Sequence, residues 1–258
     1  MLDAALPSGL PGMRALAWRE LVRFTRQPSR VIAAVGTPLL LWVFLGSGFA
    51  GSFGGVGSYA GHLLPGMVML TVVFSSVFAA ISLIDDRNAG FLQGVLASPL
   101  PRWSLVGSKL IGGGTVAVAQ GAILIPGAYL LGMSPSFLGL LLSLVAACAA
   151  ATMVMGLSLA LAWRVNSVQG FHGVMNLVLM PMWLLSGAFF PVSGASTWLK
   201  AIMLANPLTW ATEAMRSAIT GEASQFAPTM VLWAVVVLLA ALGACVAGLT
   251  VGRRPSHE

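Results

Sequence analysis

The sequence predicts an all-α integral membrane protein with six transmembrane helices, and three observations lead to that fold. Hydrophobic residues make up 58% of the chain and charged residues only 8%, against roughly 25% charged residues in an ordinary soluble domain. Six apolar runs reach the roughly 20 helical residues that a bilayer core about 30 Å thick requires. All but two of the 13 Lys and Arg residues fall on one side of these runs.

The six runs are predicted to be helices because an unpaired backbone group in lipid costs several kcal/mol. They lie at about 31–50, 63–84, 106–131, 136–162, 171–190 and 228–251. The predicted organisation is a cytoplasmic N-terminal tail and interfacial helix at 1–30, the six-helix transmembrane domain at 31–251 and a cytoplasmic tail at 252–258.

Arginines alternate with apolar residues ahead of the first run. Leu16 and Trp18 interleave with Arg19 and Arg23, which predicts an amphipathic helix lying in the cytoplasmic membrane interface. Pro28 should break this helix. A cleaved signal peptide fits poorly, because the apolar run after Arg30 is longer than a typical signal core.

The distribution of basic residues predicts the orientation. Those on the side counted as cytoplasmic are Arg14, Arg19, Arg23, Arg26, Arg30, Arg87, Arg102, Lys109, Arg164, Arg253 and Arg254, whereas the opposite side holds Lys200 and Arg216. The positive-inside rule therefore places both termini in the cytoplasm, with the connections after the second and fourth spans. The net charge of +6 reflects membrane-flanking anchors, and no nucleic-acid partner is expected.

The connection after the second span contains a second amphipathic segment. Its apolar residues fall at helical spacing on one face and predict a short helix that ends before Pro99; they are Phe91, Leu92, Val95 and Leu96. Such a helix either docks onto a cytoplasmic partner or lies on the lipid headgroups.

The longest outer connection, at about 191–227, is largely apolar. This composition predicts short helices that dip into the outer leaflet. Glu213 and Arg216 are three residues apart and can pair on one helix face. The pair lies either at the surface, where it contributes well under ~1 kcal/mol, or at the mouth of a pathway.

Several kinds of chemistry are missing from the sequence. It contains no G-x-x-x-x-G-K-S/T phosphate loop and no H-E-x-x-H metal motif, so neither ATP hydrolysis by that route nor that type of zinc site is expected. Ser186-Gly187 in the fifth span raises the alternative of an intramembrane serine protease. The sixth span, however, has no His that could activate a serine. The centres of the spans lack ionisable residues, which argues against ion-coupled transport.

Two segments resemble the permease subunits of the ABC type-2 exporter family. The first runs from Asp85 to Arg102, with Gly90 inside it. The second joins Leu-Ser-Gly-Ala-Phe-Phe-Pro at 185–191 to Asn-Pro-Leu-Thr at 206–209 and the pair Glu213 and Arg216. Trp210 departs from the Tyr of many relatives, and Ser196-Thr197 replaces a frequent Pro.

The resemblance implies an exporter built from two copies of this chain and two separate ATPase subunits, which bind ATP and Mg while this chain binds no cofactor. The helix at about Asp86 to Ser98 would couple to the ATPase, with a smaller contact at 164–170. Implied coupling residues are Asp86, Arg87, Gly90, Phe91, Leu92, Val95, Leu96, Arg102, Arg19 and Arg23; Glu213 and Arg216 would form an outer gate.

A pathway is expected along the dimer interface, between the first, second and fifth spans. Candidate lining residues are Pro38, Phe44, Phe74, Phe78, Met180, Trp183 and Phe189. The expected cargo is a hydrophobic or amphipathic drug, lipid or lipid-linked saccharide, and the expected location is a bacterial inner membrane. A secondary transporter or a membrane scaffold without an ATPase is the alternative, and a neighbouring reading frame with a phosphate loop would separate the two.

Overall fold

The computed structural model describes residues 9–49 and 56–252, and all regular structure in these residues is helical. The helices are α1 Gly9–Thr25, α2 Pro28–Gly48, α3 Val56–Asn88, α4 Phe91–Ala97, α5 Arg102–Ala122, α6 Gly127–Leu130, α7 Phe137–Arg164 and α8 Val168–Trp183, then a π-helix Leu184–Ala188, a 3₁₀ turn Val192–Gly194, α9 Thr197–Ala205, α10 Pro207–Thr220 and α11 Thr229–Gly252. The predicted tail from residue 253 onward, including Arg253 and Arg254, lies outside the described residues.

Six of these helical segments are long and apolar enough to cross a membrane, which confirms the predicted number. They cover Pro28–Gly48, Tyr59–Asn88, Arg102–Leu130, Phe137–Arg164, Val168–Ala188 and Thr229–Val251. The chain is therefore a multi-pass membrane protein. The short helices predicted between the fifth and sixth spans are present as α9 and α10, and their outer location stays a prediction.

Helix α3 lies at the centre of the bundle. It packs against α2, α5, α7, α8 and α10. Between Leu63 and Ile84 every residue of α3 is buried except Phe74 and Phe78. The two Phe side chains therefore mark the single strip along which the middle of this helix is open.

Helix α1 forms as predicted, with Arg-bearing and apolar faces, but one face is covered by protein. It packs along α5, where Gly107 faces Met13 and Gly112 faces Ala17 and Glu20; a Cβ on Gly112 would lie 2.9 Å from both partners. Small residues on α5 thus let the two helices approach closely. Trp18, on the opposite face, stays 68% exposed.

Candidate coupling site and outer clamp

The coupling helix is shorter than predicted. Helix α3 continues to Asn88, and α4 begins only at Phe91. The break falls at Gly90, whose φ of 75° is one that residues with a side chain rarely adopt. The predicted start at Asp86 is therefore wrong, because nothing before Gly90 interrupts the helical run and Asp86 and Arg87 belong to the last turn of α3.

The predicted apolar face of α4 is partly buried in the subunit and partly exposed. Leu92 is 3% exposed and packs into the subunit, whereas Phe91 is 37% and Leu96 40% exposed. Val95 and Leu96 also line an open cleft of about 610 Å³ with Trp103 at the start of α5. Phe91 and Leu96 are thus the large apolar side chains that α4 leaves exposed.

A buried lysine joins α1, α3 and α5. The Lys109 ammonium on α5 is 2.7 Å from Glu20 Oε1 on α1 and 2.6 Å from Asp86 Oδ2 on α3. It also donates to the Ser82 hydroxyl at 2.8 Å. All three charged side chains are less than a tenth exposed, so each charge is compensated inside the protein, as a buried ion requires.

Arginines from α1 and α2 extend this arrangement. Arg19 and Arg23 lie 2.9 and 2.8 Å from Asp86 Oδ1, and Arg23 also lies 3.1 Å from Asp85. Arg30 reaches the same Asp85 carboxylate at 3.4 Å. We call the group Arg19, Glu20, Arg23, Arg30, Asp85, Asp86 and Lys109, on the side that the sequence predicts to be cytoplasmic, the cytoplasmic charge cluster.

The cluster also contacts the coupling helix. The Arg19 guanidinium lies over the Phe91 ring, 3.8 Å from its centroid, which is within the range of a cation–π interaction. Arg19 therefore joins α1, α3 and α4 through one side chain. The predicted role of Arg19, Arg23 and Asp86 in coupling stays a prediction, while their charged groups bond within the subunit.

Arg87 bonds to the end of another helix of the subunit, and its predicted role in coupling stays a prediction. Its guanidinium donates to the carbonyl oxygens of Ala162, Trp163 and Val165 at 3.2, 2.7 and 3.2 Å. These carbonyls lie at the C-terminal end of α7, where the last turn of a helix lacks intrahelical partners. Arg87 thus caps α7 and ties it to α3. Arg102 donates to the Val251 carbonyl on α11 at 3.4 Å.

Glu20 and Lys109 were missed as site residues. Lys109 was counted only as a membrane-flanking charge, although it falls inside the apolar run at 106–131. Glu20 is the single acidic residue among the arginines of α1, and a lone carboxylate in a basic helix was the signal that could have revealed an internal partner.

The outer ion pair is present and buried. Arg216 lies 2.8 Å from Glu213 Oε2, and both side chains are under a tenth exposed, so the surface alternative is wrong. Arg216 also donates to the Gly187 carbonyl at 2.7 Å, and Glu213 accepts from the Gln225 backbone N–H at 2.8 Å. Burial lowers the pKa of Arg216, and the adjacent Glu213 carboxylate acts in the opposite direction.

The carbonyl that Arg216 contacts belongs to a break in the fifth span. Helix α8 passes into the π-helix at Leu184, and Gly187 has a φ of 79°, so the regular helix ends here. Side chains from α10 and its N-cap then bond to the carbonyls of this segment: Asn206 to Met182 at 2.5 Å, Thr209 to Leu185 at 3.2 Å and Arg216 to Gly187. We call Asn206, Thr209, Glu213 and Arg216, on the side that the sequence predicts to be outside, the outer clamp.

The clamp gives a physical reason for the spacing of the motif residues. Asn206 also accepts from the Leu208 backbone N–H at 3.0 Å, which caps the N-terminus of α10, and Pro207 occupies the first turn, where no donor is needed. Trp210 donates to the Leu204 carbonyl at 2.9 Å. The outer helices are therefore fixed to the broken span by polar contacts.

The candidate pathway residues differ in exposure. Phe44 is 66% and Met180 37% exposed, and Phe74, Phe78 and Phe189 are intermediate. Trp183 is buried, packs on Phe189 with ring centroids 4.9 Å apart and donates to the Gly66 carbonyl, and Pro38 is buried as well. Trp183 and Pro38 are thus packing residues within the subunit, because their own neighbours in the bundle cover them.

No trio of His, Cys, Asp and Glu side chains suited to a metal ion occurs among residues 9–49 and 56–252. Ser186 is buried and donates to the Trp183 carbonyl at 2.6 Å, so its hydroxyl is engaged with its own helix.

Comparison with known proteins identifies the architecture. The family model described as ABC-2 type transporter matches residues 12–220, which include α1 from Gly12 onward, α4, the cytoplasmic charge cluster and the outer clamp. The chain belongs to the ABC-2 type transporter family. The resemblance seen in the two sequence segments is thereby confirmed over most of the chain.

The individual relatives of this ABC-2 chain have low sequence identity to it. It is 27% identical over 211 residues to a putative transport permease ycf38 of Porphyra purpurea, covering 79% of this chain and 72% of the relative. It is 25% identical over 209 residues to the daunorubicin resistance ABC transporter permease protein DrrB1 of Streptomyces coeruleorubidus, covering 80% and 74%. Nodulation protein J of Neorhizobium galegae is 28% identical over 231 residues, covering 84% and 85%.

Proposed function

We propose that the chain is the membrane-spanning permease subunit of an ATP-driven exporter. Two copies would assemble with two separate ATPase subunits, which bind ATP and Mg²⁺ and carry out hydrolysis. Membership of the ABC-2 type transporter family carries the proposal, and relatives named as ABC transporter permeases support it.

The cytoplasmic charge cluster suggests how movement of an ATPase would reach the membrane. A push on α4 acts at Phe91, which contacts Arg19, and Arg19 bonds to Asp86 on α3. Lys109 connects the same Asp86 to α5 and, through Glu20, to α1. Four helices would therefore respond together, as expected of an element that shifts between an inward-open and an outward-open state.

The orientation follows from the charges. The cytoplasmic charge cluster and α4 would face the cytoplasm, and the outer clamp the opposite side, in a bacterial inner membrane with both termini inside. Single cysteines at Lys200 and Asn166 test this arrangement. A membrane-impermeant thiol reagent should label position 200 from outside and position 166 only from inside, and the reverse pattern would contradict the topology.

The cargo would be hydrophobic or amphipathic. The similarity to DrrB1, named for daunorubicin resistance, supports a drug-like molecule, and a lipid or lipid-linked saccharide fits the apolar spans equally. A transport assay with a drug-like molecule, a lipid and a lipid-linked saccharide distinguishes these cargo classes.

Co-purification tests the proposal most directly. The tagged chain is expressed with the ATPase encoded beside it, and ATPase activity is measured in lipid with and without the permease. A complex with two copies of each subunit and altered ATPase activity is expected. If no ATPase associates, the chain acts as a secondary transporter or a scaffold.

A further inference from the structure

The exposed side of helix α1 forms an open, positively charged cleft. Arg26, directly after α1, is exposed and forms no ion pair with any residue in the described part of the chain. Trp18 is 68% exposed. Both side chains line one cleft of about 560 Å³, whose other lining residues are Ala15, Arg19, Val22, Arg23 and Gln27. We call it the α1 cleft, and it combines apolar side chains with three guanidinium groups.

Contacts with α5 show the direction in which α1 runs. At the start of α1, a Cβ on Gly9 would lie 2.5 Å from the Ser104 hydroxyl oxygen. Near its end, Phe24 shares a crevice with Val116. The two helices therefore run in the same direction, and the end of α1 lies further along the third span than its start does.

The end of α1 lies at the depth of the lipid headgroups. The span Arg102–Leu130 has 29 residues, of which about 20 suffice to cross the bilayer core. Its charged residues, Arg102 and Lys109, lie near its start, so the excess length is at that end, and the part beside the end of α1 is close to the edge of the hydrocarbon. The first span, which begins at Pro28, gives the same depth for Arg26.

The charge around the cleft favours an anion. The cytoplasmic charge cluster pairs four cations with three carboxylates, so one positive charge is not compensated within it, and Arg26 adds another. Arg19 and Arg23 are fixed by Asp86 at 2.9 and 2.8 Å. Guanidinium groups bind phosphate oxygens through paired N–H donors, and donors that are already fixed lose less conformational freedom on binding.

We propose that the α1 cleft binds the headgroup of an anionic phospholipid from the leaflet next to the cytoplasmic charge cluster. The lipid phosphate accepts hydrogen bonds from Arg23 and Arg26, as in other basic pockets beside membrane spans. Trp18 lies at the headgroup level, where Trp is enriched in membrane proteins. Ala15 and Val22 supply apolar surface for the glycerol and the start of the acyl chains. The inference requires only that the chain lies in a membrane, so it does not depend on the export function.

Depth separates a lipid from the ATPase as the occupant. Arg14 is also exposed and forms no ion pair with a described residue. It lies toward the start of α1, about 18 Å from Arg26 along the helix axis, and hence further from the first span. A cytoplasmic ATPase could reach Arg14, whereas a lipid phosphate meets Arg26. Arg14 therefore supplies a matched control of the same residue type on the same segment.

Lipid binding to the purified full chain tests the proposal. The chain is titrated in detergent with dioleoyl phosphatidylglycerol or with dioleoyl phosphatidylcholine, and native mass spectrometry gives the dissociation constant of each lipid. We expect phosphatidylglycerol to bind at least tenfold more tightly. Arg26→Gln should weaken its binding about fivefold, as expected for the loss of one basic residue beside an anionic headgroup, and Arg14→Gln less than twofold. Arg26→Lys keeps the charge and should recover part of the affinity.

Three outcomes would overturn the proposal. The first is equal affinity for the two lipids. The second is equal weakening by Arg14→Gln and Arg26→Gln, because binding would then follow net charge and not the cleft. The third is an Arg26→Gln chain that binds phosphatidylglycerol normally but no longer retains the ATPase, which would assign the cleft to the ATPase. Misfolding does not confuse the result, because Arg26 has no side-chain partner in the described residues and its variants should keep the parent melting temperature.

The depth of Trp18 is tested independently by fluorescence quenching. The full chain and its Trp18→Phe variant are reconstituted in vesicles of phosphatidylcholine with one fifth phosphatidylglycerol, and the difference between their emissions gives the signal of Trp18. We expect a nitroxide on the lipid headgroup to quench this signal at least twofold more than a nitroxide in the middle of the acyl chain. Quenching by aqueous iodide alone would place the cleft away from the membrane and overturn the proposal.

Discussion

The cytoplasmic charge cluster and the outer clamp both bury ions, but they hold different parts of the chain together. In the cluster, side chains on α1, α2, α3 and α5 pair with one another, and Asp86 alone contacts Arg19, Arg23 and Lys109. In the clamp, side chains of α10 bond mainly to backbone carbonyls of one broken helix.

This difference teaches where the bundle can rearrange. Side-chain pairs can exchange partners when helices slide, because several cations share the same carboxylates. Backbone carbonyls are fixed to the shape of their segment, so the clamp holds α10 and the π-helix in one geometry. We therefore expect the helices at the cytoplasmic end to shift relative to one another during transport. The outer clamp should move as one rigid unit.

The largest effect should come from breaking the cluster at its centre. Lys109→Met removes the fully buried cation that Glu20 and Asp86 share and leaves them only the partly exposed Arg19 in common, and removing one partner of a buried pair costs about 3–5 kcal/mol. The free energy of unfolding in detergent should fall by that amount. Arg26→Met, at an exposed arginine that follows α1, is the control, and an equal effect of the two changes would contradict the prediction.

Breaking the clamp should lower the free energy of unfolding somewhat less than Lys109→Met does. Loss of Arg216 should have a larger effect than loss of the Glu213 charge. Arg216→Met removes the partner of Glu213 and the donor to Gly187, for an expected loss of about 3 kcal/mol. Glu213→Gln keeps the bond to Gly187 and should cost less. Unfolding of the two variants and of the double variant gives the coupling between them. If Glu213→Gln were as damaging as Arg216→Met, the carbonyl contact would be unimportant.

A smaller change is expected where α3 meets α7. Arg87→Glu places a carboxylate against the carbonyls of Ala162 and Trp163 and leaves them without a donor, which should cost about 1–3 kcal/mol. Arg87→Gln keeps some donors and should cost less. Because Arg87 is engaged inside the subunit, loss of ATPase coupling in Arg87→Glu should be accompanied by lower stability. Full stability with lost coupling would place Arg87 at the partner surface instead.

The smallest effect on stability, under about 1 kcal/mol for a partly exposed ring, is expected for Phe91→Ala. This variant should nevertheless uncouple ATPase activity from transport. It removes an exposed apolar side chain of α4 and the ring on which the Arg19 guanidinium lies. Gln93→Ala, exposed on the same helix, should leave coupling intact. Coupling that survives Phe91→Ala would show that the ATPase docks elsewhere.

The spans and the amphipathic segments could be predicted because they depend on local hydropathy. Residues at 63–84 are mostly apolar and include no charged side chain, and they lie in the most buried span. The end of α4 before Pro99 was likewise a local signal. The helix begins after Gly90 and not at the predicted Asp86, because a positive φ interrupts a helix and a charge does not.

Long-range pairing could not be predicted in the same way. Lys109 and Glu20 are 89 positions apart in the chain, and nothing in the neighbourhood of either residue specifies the other. The break at Gly187 is similar, since Leu184–Ala188 reads as ordinary apolar span until the side chains of α10 are brought beside it. The Glu213 and Arg216 pair was predictable from its spacing, but its burial was not.

The junction at Asn88, Ala89 and Gly90 has a mechanical consequence. The Ala89 N–H still bonds to the Asp85 carbonyl at 2.9 Å, and the Gly90 carbonyl accepts from the Gly94 N–H at 3.4 Å. Helical hydrogen bonds therefore continue up to the junction from both sides. Each residue added to a helix turns the chain beyond it by about 100°. An insertion of one residue here would rotate Phe91 and Leu96 away from their present direction. The length of this joint, together with the positive φ of Gly90, therefore sets the direction in which Phe91 and Leu96 face.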